Sequence, residues 1–136
     1  MVFKHDLKVR YQETDQMGVA HHSVYPVWYE EARTSFMSAT NMPYSQIEKK
    51  GFMLPVSKLE CKYIKPAYFE DILVVHTQIK SVSAVKMDVY YQIYRDDVLI
   101  NIGYTEHPFV DKNFKMINLK KADFNLYKQF LNNKIQ

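Results

Sequence analysis

At 136 residues the chain, 1–136, has the length of one domain. Its 47% hydrophobic and 15% aromatic content can fill a sizeable core, which excludes a disordered chain. The net charge of +3 comes from lysines scattered along the sequence rather than clustered, which argues against nucleic acid and suits a small anionic ligand. Cys61 is the single cysteine, so no internal disulfide can form and a reducing compartment fits. The opening MVFKHDLKVR carries charges where a signal peptide needs an apolar core. No run of about 18 apolar residues suggests a membrane span. The expectation is a cytoplasmic protein.

Residues 3–11, FKHDLKVRY, alternate as a first strand, and residues 12–22 form a loop containing Gly18. A helix is predicted from Ser23 to Thr40, with Ser23 as N-cap and Pro26 in the first turn, where its missing N–H costs nothing. Val24, Val27, Trp28, Glu31, Ala32, Ser35, Phe36 and Ala39 recur near helical spacing and make one face mostly apolar. A short helix from Pro43 to Lys50 is closed by Gly51. The period then changes to two. Residues 56–65, VSKLECKYIK, set Leu59, Cys61 and Tyr63 on one face. Residues 72–80, 84–95 and 98–110 read as further antiparallel strands, with an Asp96-Asp97 turn between the last two. The tail KADFNLYKQFLNNK reads as an amphipathic helix. One apolar helix followed by a run of strands is a two-layer α+β arrangement, with an antiparallel sheet curled around the helix. Its edge strands need a partner, which favours dimerisation through the sheet.

The stretch TDQMGVAHHSVYP precedes the long helix. A helix entrance offers unpaired N–H groups and partial positive charge, which can polarise a carbonyl oxygen. Asp15, just upstream, can attack an electrophile held there or take a proton from water. His22 can donate a hydrogen bond or hold the carboxylate, and Gly18 lets a ligand approach the backbone. The same residues also suit simple capping and surface polarity, and spacing alone leaves both readings open. One or both of Glu30 and Glu31 on the helix are expected to be satisfied by Arg33 or a neighbour. Cys61 is expected to be a core thiol, and His76 and His107 structural. The histidines show no metal-ligand spacing, and no cofactor fingerprint is present.

The pattern Y-x-x-T-D-x-x-G-V-x-x-H-x-x-Y-x-x-[WF]-x-E, from Tyr11 through Glu30, resembles the signature of the 4-hydroxybenzoyl-CoA thioesterase group of hotdog-fold proteins. It is most similar to the Tol-Pal-associated acyl-CoA thioesterase branch. CKYIKPAYFEDILVV and DDVLINIGYTEHPFVDKNFKMINL resemble that branch's later strands. The resemblance implies a hotdog fold, homodimers or homotetramers with active sites at the dimer interface, and hydrolysis of an acyl-CoA without a cofactor or metal. It assigns the catalytic aspartate to Asp15, the oxyanion histidine to His22 and the active-site tyrosine to Tyr11. Gly18, Val19 and Tyr25 would line the substrate site, while the role of His21 stays open. The basic cluster that the 4-hydroxybenzoyl-CoA enzyme carries between two central strands is reduced here to Lys80 and Lys86, in KSVSAVK. Lys58, Lys62 and Lys65 are further candidates for the CoA phosphates. An acyl carrier protein as thioester donor, or a non-catalytic acyl-CoA-binding role on the same fold, are the alternatives.

Overall fold

The computed structural model describes residues 2–134. Strands β1 (Phe3–Lys8), β3 (Lys58–Tyr63), β4 (Ile72–Val82), β5 (Lys86–Arg95) and β6 (Val98–Pro108) form one antiparallel sheet in the order β1-β4-β5-β6-β3. A two-stranded ribbon joins β2 (Phe52–Met53) to β7 (Val110–Asp111). Helix α1 (Tyr25–Ala39) lies along the inner face of the sheet, and α2 (Tyr44–Lys49) follows it. This is the hotdog arrangement of the α+β class.

The predicted first strand ends early. Residues 11–13 coil into a 3-10 turn that starts the loop towards α1. The buried stripe of α1 is also rotated from the predicted one. Tyr25, Trp28, Tyr29, Ala32, Phe36 and Met37 face the core, whereas Val27 is 57% exposed and Glu31 and Ala39 face outward. Two tyrosines and a methionine outweigh the valine because each removes more apolar surface from water, about 1.5–3 kcal/mol per large side chain buried. The tail is two helices, α3 (Leu119–Ala122) and α4 (Phe124–Asn132), because the Asp123 carboxylate caps α4 by accepting from Leu126 N–H at 3.1 Å. The Asp96-Asp97 turn has φ of 47° and 64°, the doubly left-handed form that matches strand twist.

Gly103 fixes how closely α1 approaches the sheet. It pairs with Cys61 on one side and Tyr91 on the other. The Tyr29 ring occupies the space where a Cβ at Gly103 would point. Tyr29 also donates to Asn101 Oδ1, lies 3.2 Å from Cys61 Sγ and stacks on Tyr91 at 4.5 Å. Gly103→Ala therefore displaces a ring held on three sides. A loss of about 1–3 kcal/mol is expected from overpacking, read as a lower urea midpoint; a wild-type midpoint would refute the packing role.

Candidate active site

The loop in front of α1 is a miniature hairpin. Thr14 and Ala20 form a bridge, and Asp15 N–H donates to Val19 O at 2.9 Å. Gly18 closes the turn at φ 80°, with its N–H on Asp15 O at 3.0 Å. No atom crowds the position of its missing Cβ, so glycine is needed there for backbone conformation and not for space. The hairpin is tied to the sheet by Ala20 N–H on Ala67 O at 2.8 Å and by the Val19–Tyr68 bridge.

A second anchor comes from Glu13. Its buried carboxylate accepts from Trp28 Nε1 at 3.0 Å and from Arg10 N–H at 2.8 Å. This clamps the loop onto the first turns of α1. Sequence reading passed over Glu13 because a glutamate in a polar loop looks like solvated charge. The available signal was a carboxylate preceding a helix that carries the only indole.

Within that frame the Asp15 carboxylate is half used. Oδ1 accepts from Met17 N–H at 2.8 Å, and Oδ2 takes no hydrogen bond from the described residues. Downstream, the N-cap of α1 is Val24, with no side-chain bond, and not Ser23 as expected; His21 instead caps the 3-10 turn that precedes the helix. Its Nδ1 accepts from Ser23 N–H at 3.2 Å and lies 2.8 Å from Ser23 Oγ. A 3-10 turn over residues 22–24 then leads into α1, with Pro26 in the first helical turn as predicted. The His21 and His22 rings lie 4.1 Å apart. Capping is thus the structural role of His21, and the His22 N–H has no acceptor among the described residues.

Asp15, Val19, His22, Tyr25, Tyr63 and Lys65 line one hollow of about 300 Å³. Tyr63 was assigned only a strand face in the sequence. Its hydroxyl donates to His22 O at 2.6 Å, fixing the helix entrance from the sheet side. Burial, then the Cys61 contact, pushes the Tyr63 hydroxyl up to about 12, so it stays a proton donor. Tyr25 packs edge-on against Tyr63 at 5.1 Å, and burial raises its hydroxyl too.

The other candidates lie elsewhere. Tyr11 is 75% exposed and packs on Phe69 at 5.4 Å, outside the hollow of its own chain. Lys86 is drawn to Glu106 at 2.7 Å and Asp88 at 3.9 Å, so its charge is already answered. Lys62 shares an outer-face groove with Lys58, Lys80, Tyr90 and Tyr104, where the Lys80 ammonium sits 5.9 Å from the Tyr90 ring centre. Glu31 is met by His5 at 2.6 Å, whereas Arg33 turns to Tyr91 and leaves Glu30 alone. Cys61 is half-buried, not fully in the core.

Residues 9–132 match the family described as the thioesterase-like superfamily. The chain belongs to the thioesterase-like superfamily. Its activity class is accordingly thioester hydrolysis. A Bacillus subtilis protein provisionally named acyl-CoA thioesterase YneP is 40% identical over 123 residues, 89% of each chain. A hypothetical protein from Thermus thermophilus superposes with a TM-score of 0.91 at 32% identity over the whole of both chains. The DHNA-CoA thioesterase from Staphylococcus aureus also gives 0.91, at 28% identity, covering 96% of this chain and 89% of that one. The superfamily match is broader than the branch resemblance drawn from the Tyr11–Glu30 motif. No helix among the described residues is long and apolar enough to cross a membrane.

Proposed function

We propose that this protein hydrolyses acyl-CoA thioesters, with Asp15 as nucleophile or general base and the helix entrance at His22 as the oxyanion site. Within the superfamily, the resemblance of the Tyr11–Glu30 motif supports a place in the 4-hydroxybenzoyl-CoA thioesterase group, near the Tol-Pal-associated branch. The observation that carries the proposal is that Asp15, whose Oδ2 takes no hydrogen bond from the described residues, and His22 at the helix entrance line one hollow. The thioester carbonyl oxygen accepts from the His22 N–H, where the helix end stabilises developing negative charge. As general base, Asp15 takes a proton from water, the resulting hydroxide adds to the carbonyl carbon, and the C–S bond breaks. As nucleophile, Oδ2 adds instead, the thiolate leaves, and water hydrolyses the mixed anhydride. Either route ends with free acid and CoA thiol. A thiolate leaves readily, so neither needs a strong general acid.

Lys65, at the rim, and Lys62 and Lys80, on the outer groove, are cations available for CoA phosphates, whereas Lys58 is met by Glu60 at 3.2 Å. Lys86 contributes only after exchanging Glu106 for a phosphate. The working unit is a homodimer joined through the sheet, in which Tyr11 can serve a site that its own chain does not complete. Release of free thiol from a panel of acyl-CoAs and acyl carrier proteins tests the proposal. CoA esters are expected to be the better substrates. Turnover of carrier-protein esters alone would move the donor to that class, and turnover of neither would leave a binding protein.

A further inference from the structure

A second hollow, of about 230 Å³, opens at the other end of β3. Its walls include Glu30, Arg33, Met37, Leu54, Val56 and His107. At its base runs a hydrogen-bonded chain whose direction can be derived. His107 Nδ1 lies 3.1 Å from Leu54 O, which only accepts, so Nδ1 carries the proton and Nε2 accepts. Thr105 Oγ1, 2.7 Å from Nε2, therefore donates to it. Tyr91 donates to Thr105 at 2.7 Å, and Arg33 Nη1 donates to the Tyr91 hydroxyl at 2.9 Å. The guanidinium is thus pinned at one nitrogen. Among the described residues it has no carboxylate within ion-pair distance, and its remaining donors are left over. Glu30, one turn earlier on α1, offers an unengaged acceptor beside it.

The edge strand β3 specifies how a second copy would add to it. Directly opposed residues in an antiparallel pair share a face of the sheet. A twofold axis at Cys61 sets Glu60 against the partner's Lys62 and Leu59 against the partner's Tyr63. Opposite charges then meet on the outer face and apolar groups on the inner one. An axis at Glu60 sets Lys58 against the partner's Lys62, one at Lys62 sets that lysine against its own copy, and one at Leu59 pairs Lys58 with Glu60 but joins only the first half of each strand. An axis between residues opposes apolar to charged positions throughout. Leu59 and Tyr63 are 45% and 50% exposed in the single chain, as an unfilled self-complementary edge requires. In the Cys61 register the Tyr63 end of β3, which borders the Asp15 hollow, lies beside the Lys58 end of the partner's β3, which the segment lining the Arg33 hollow leads into. Paired strands lie about 4.8 Å apart, which brings the two hollows next to each other across the joined edge.

We propose that each active site is completed by the partner's Arg33 and Glu30, which select acyl groups carrying a hydroxyl at their far end. The inference rests on the thioesterase reading above. A hydroxyl oxygen accepts from Arg33 while its proton goes to Glu30; a plain alkyl end leaves both charges unanswered, and a carboxylate answers Arg33 but has no proton to give Glu30. The wild type is therefore expected to prefer an ω-hydroxyalkanoyl-CoA over the alkanoyl-CoA of equal length by at least about tenfold in kcat/KM. Arg33→Met is expected to bring that ratio close to one. Arg33→Lys, which keeps charge but loses the fork, is expected to lower it too, and serves if the first variant does not fold. Co-expression of Asp15→Asn and Arg33→Met chains under two tags gives mixed dimers. One of their two sites combines native Asp15 with native Arg33 from the other chain, so the preference is expected to return. Mixed dimers without it overturn the arrangement across the interface. Hydrolysis of both esters without preference, or a preference that survives both Arg33 variants, overturns the inference alone. Wild-type protein that cleaves neither acyl-CoA nor acyl carrier protein esters removes the thioesterase reading and the inference with it.

Discussion

Asp15→Asn is expected to lower turnover of any acyl-CoA the protein cleaves by at least about 100-fold, the usual effect of removing a general base. Asparagine keeps Oδ1, so the 2.8 Å bond from Met17 N–H and the hairpin it supports are retained. What is lost is the charge and basicity at Oδ2, the oxygen with no protein donor among the described residues. The variant therefore separates chemistry from loop geometry, which Asp15→Ala does not. Unfolding midpoints of the two proteins should agree while their thiol-release rates diverge. Rates within a few-fold of wild type would remove Asp15 from the reaction. Single turnover in isotopically labelled water then distinguishes the two routes. Direct attack on the carbonyl leaves label only in the product acid, whereas a mixed anhydride can leave label in the Asp15 carboxylate.

The fold was legible because its signals are periodic. The change from helical spacing to alternation at Phe52 is strong enough to define one helix and a run of strands without any tertiary information. The orientation of α1 was not legible. Val27 and Ala39 fit an apolar face as well as Tyr25 and Tyr29 do, until Gly103 opens the slot that only the Tyr29 ring fills. The entrance motif placed Asp15 and His22 at one hollow, because both are fixed by a short hairpin and its helix. The parts it left out depend on contacts distant in sequence. Tyr63 reaches His22 across 41 residues, and Arg33 reaches Tyr91 across 58. Local spacing carries no record of such contacts. Lys86 is the converse case: a free phosphate ligand in the sequence, but one whose cross-strand neighbour Glu106 already holds it.

His107 makes the stability of the fold depend on pH in a window that its environment defines. The ring is fully buried. Burial, and next the Arg33 charge, push it down to about 4 from an ordinary value of 6.5, against weaker opposing effects from the Leu54 and Pro55 backbone and Asp88. The native state therefore holds the ring neutral, while the unfolded chain takes up a proton below about 6.5. Between those values the unfolded state binds more protons, so stability rises with pH there. The contribution is complete above the unfolded value and is lost as pH falls towards 4, roughly 3 kcal/mol over the whole window. Protonation also reverses the hydrogen-bonded chain. Nε2 becomes a donor, Thr105 can no longer give it a proton, and Tyr91 is left to accept from both Arg33 and Thr105. Denaturant unfolding is expected to lose about 2 kcal/mol between pH 7 and pH 5, before most carboxylates begin to titrate. His107→Gln can still donate to Leu54 O but cannot take up a proton, and it is expected to flatten that part of the profile. An unchanged slope in the variant would assign the pH dependence to other groups and leave the Arg33–Tyr91–Thr105 chain without its proton-sensitive end.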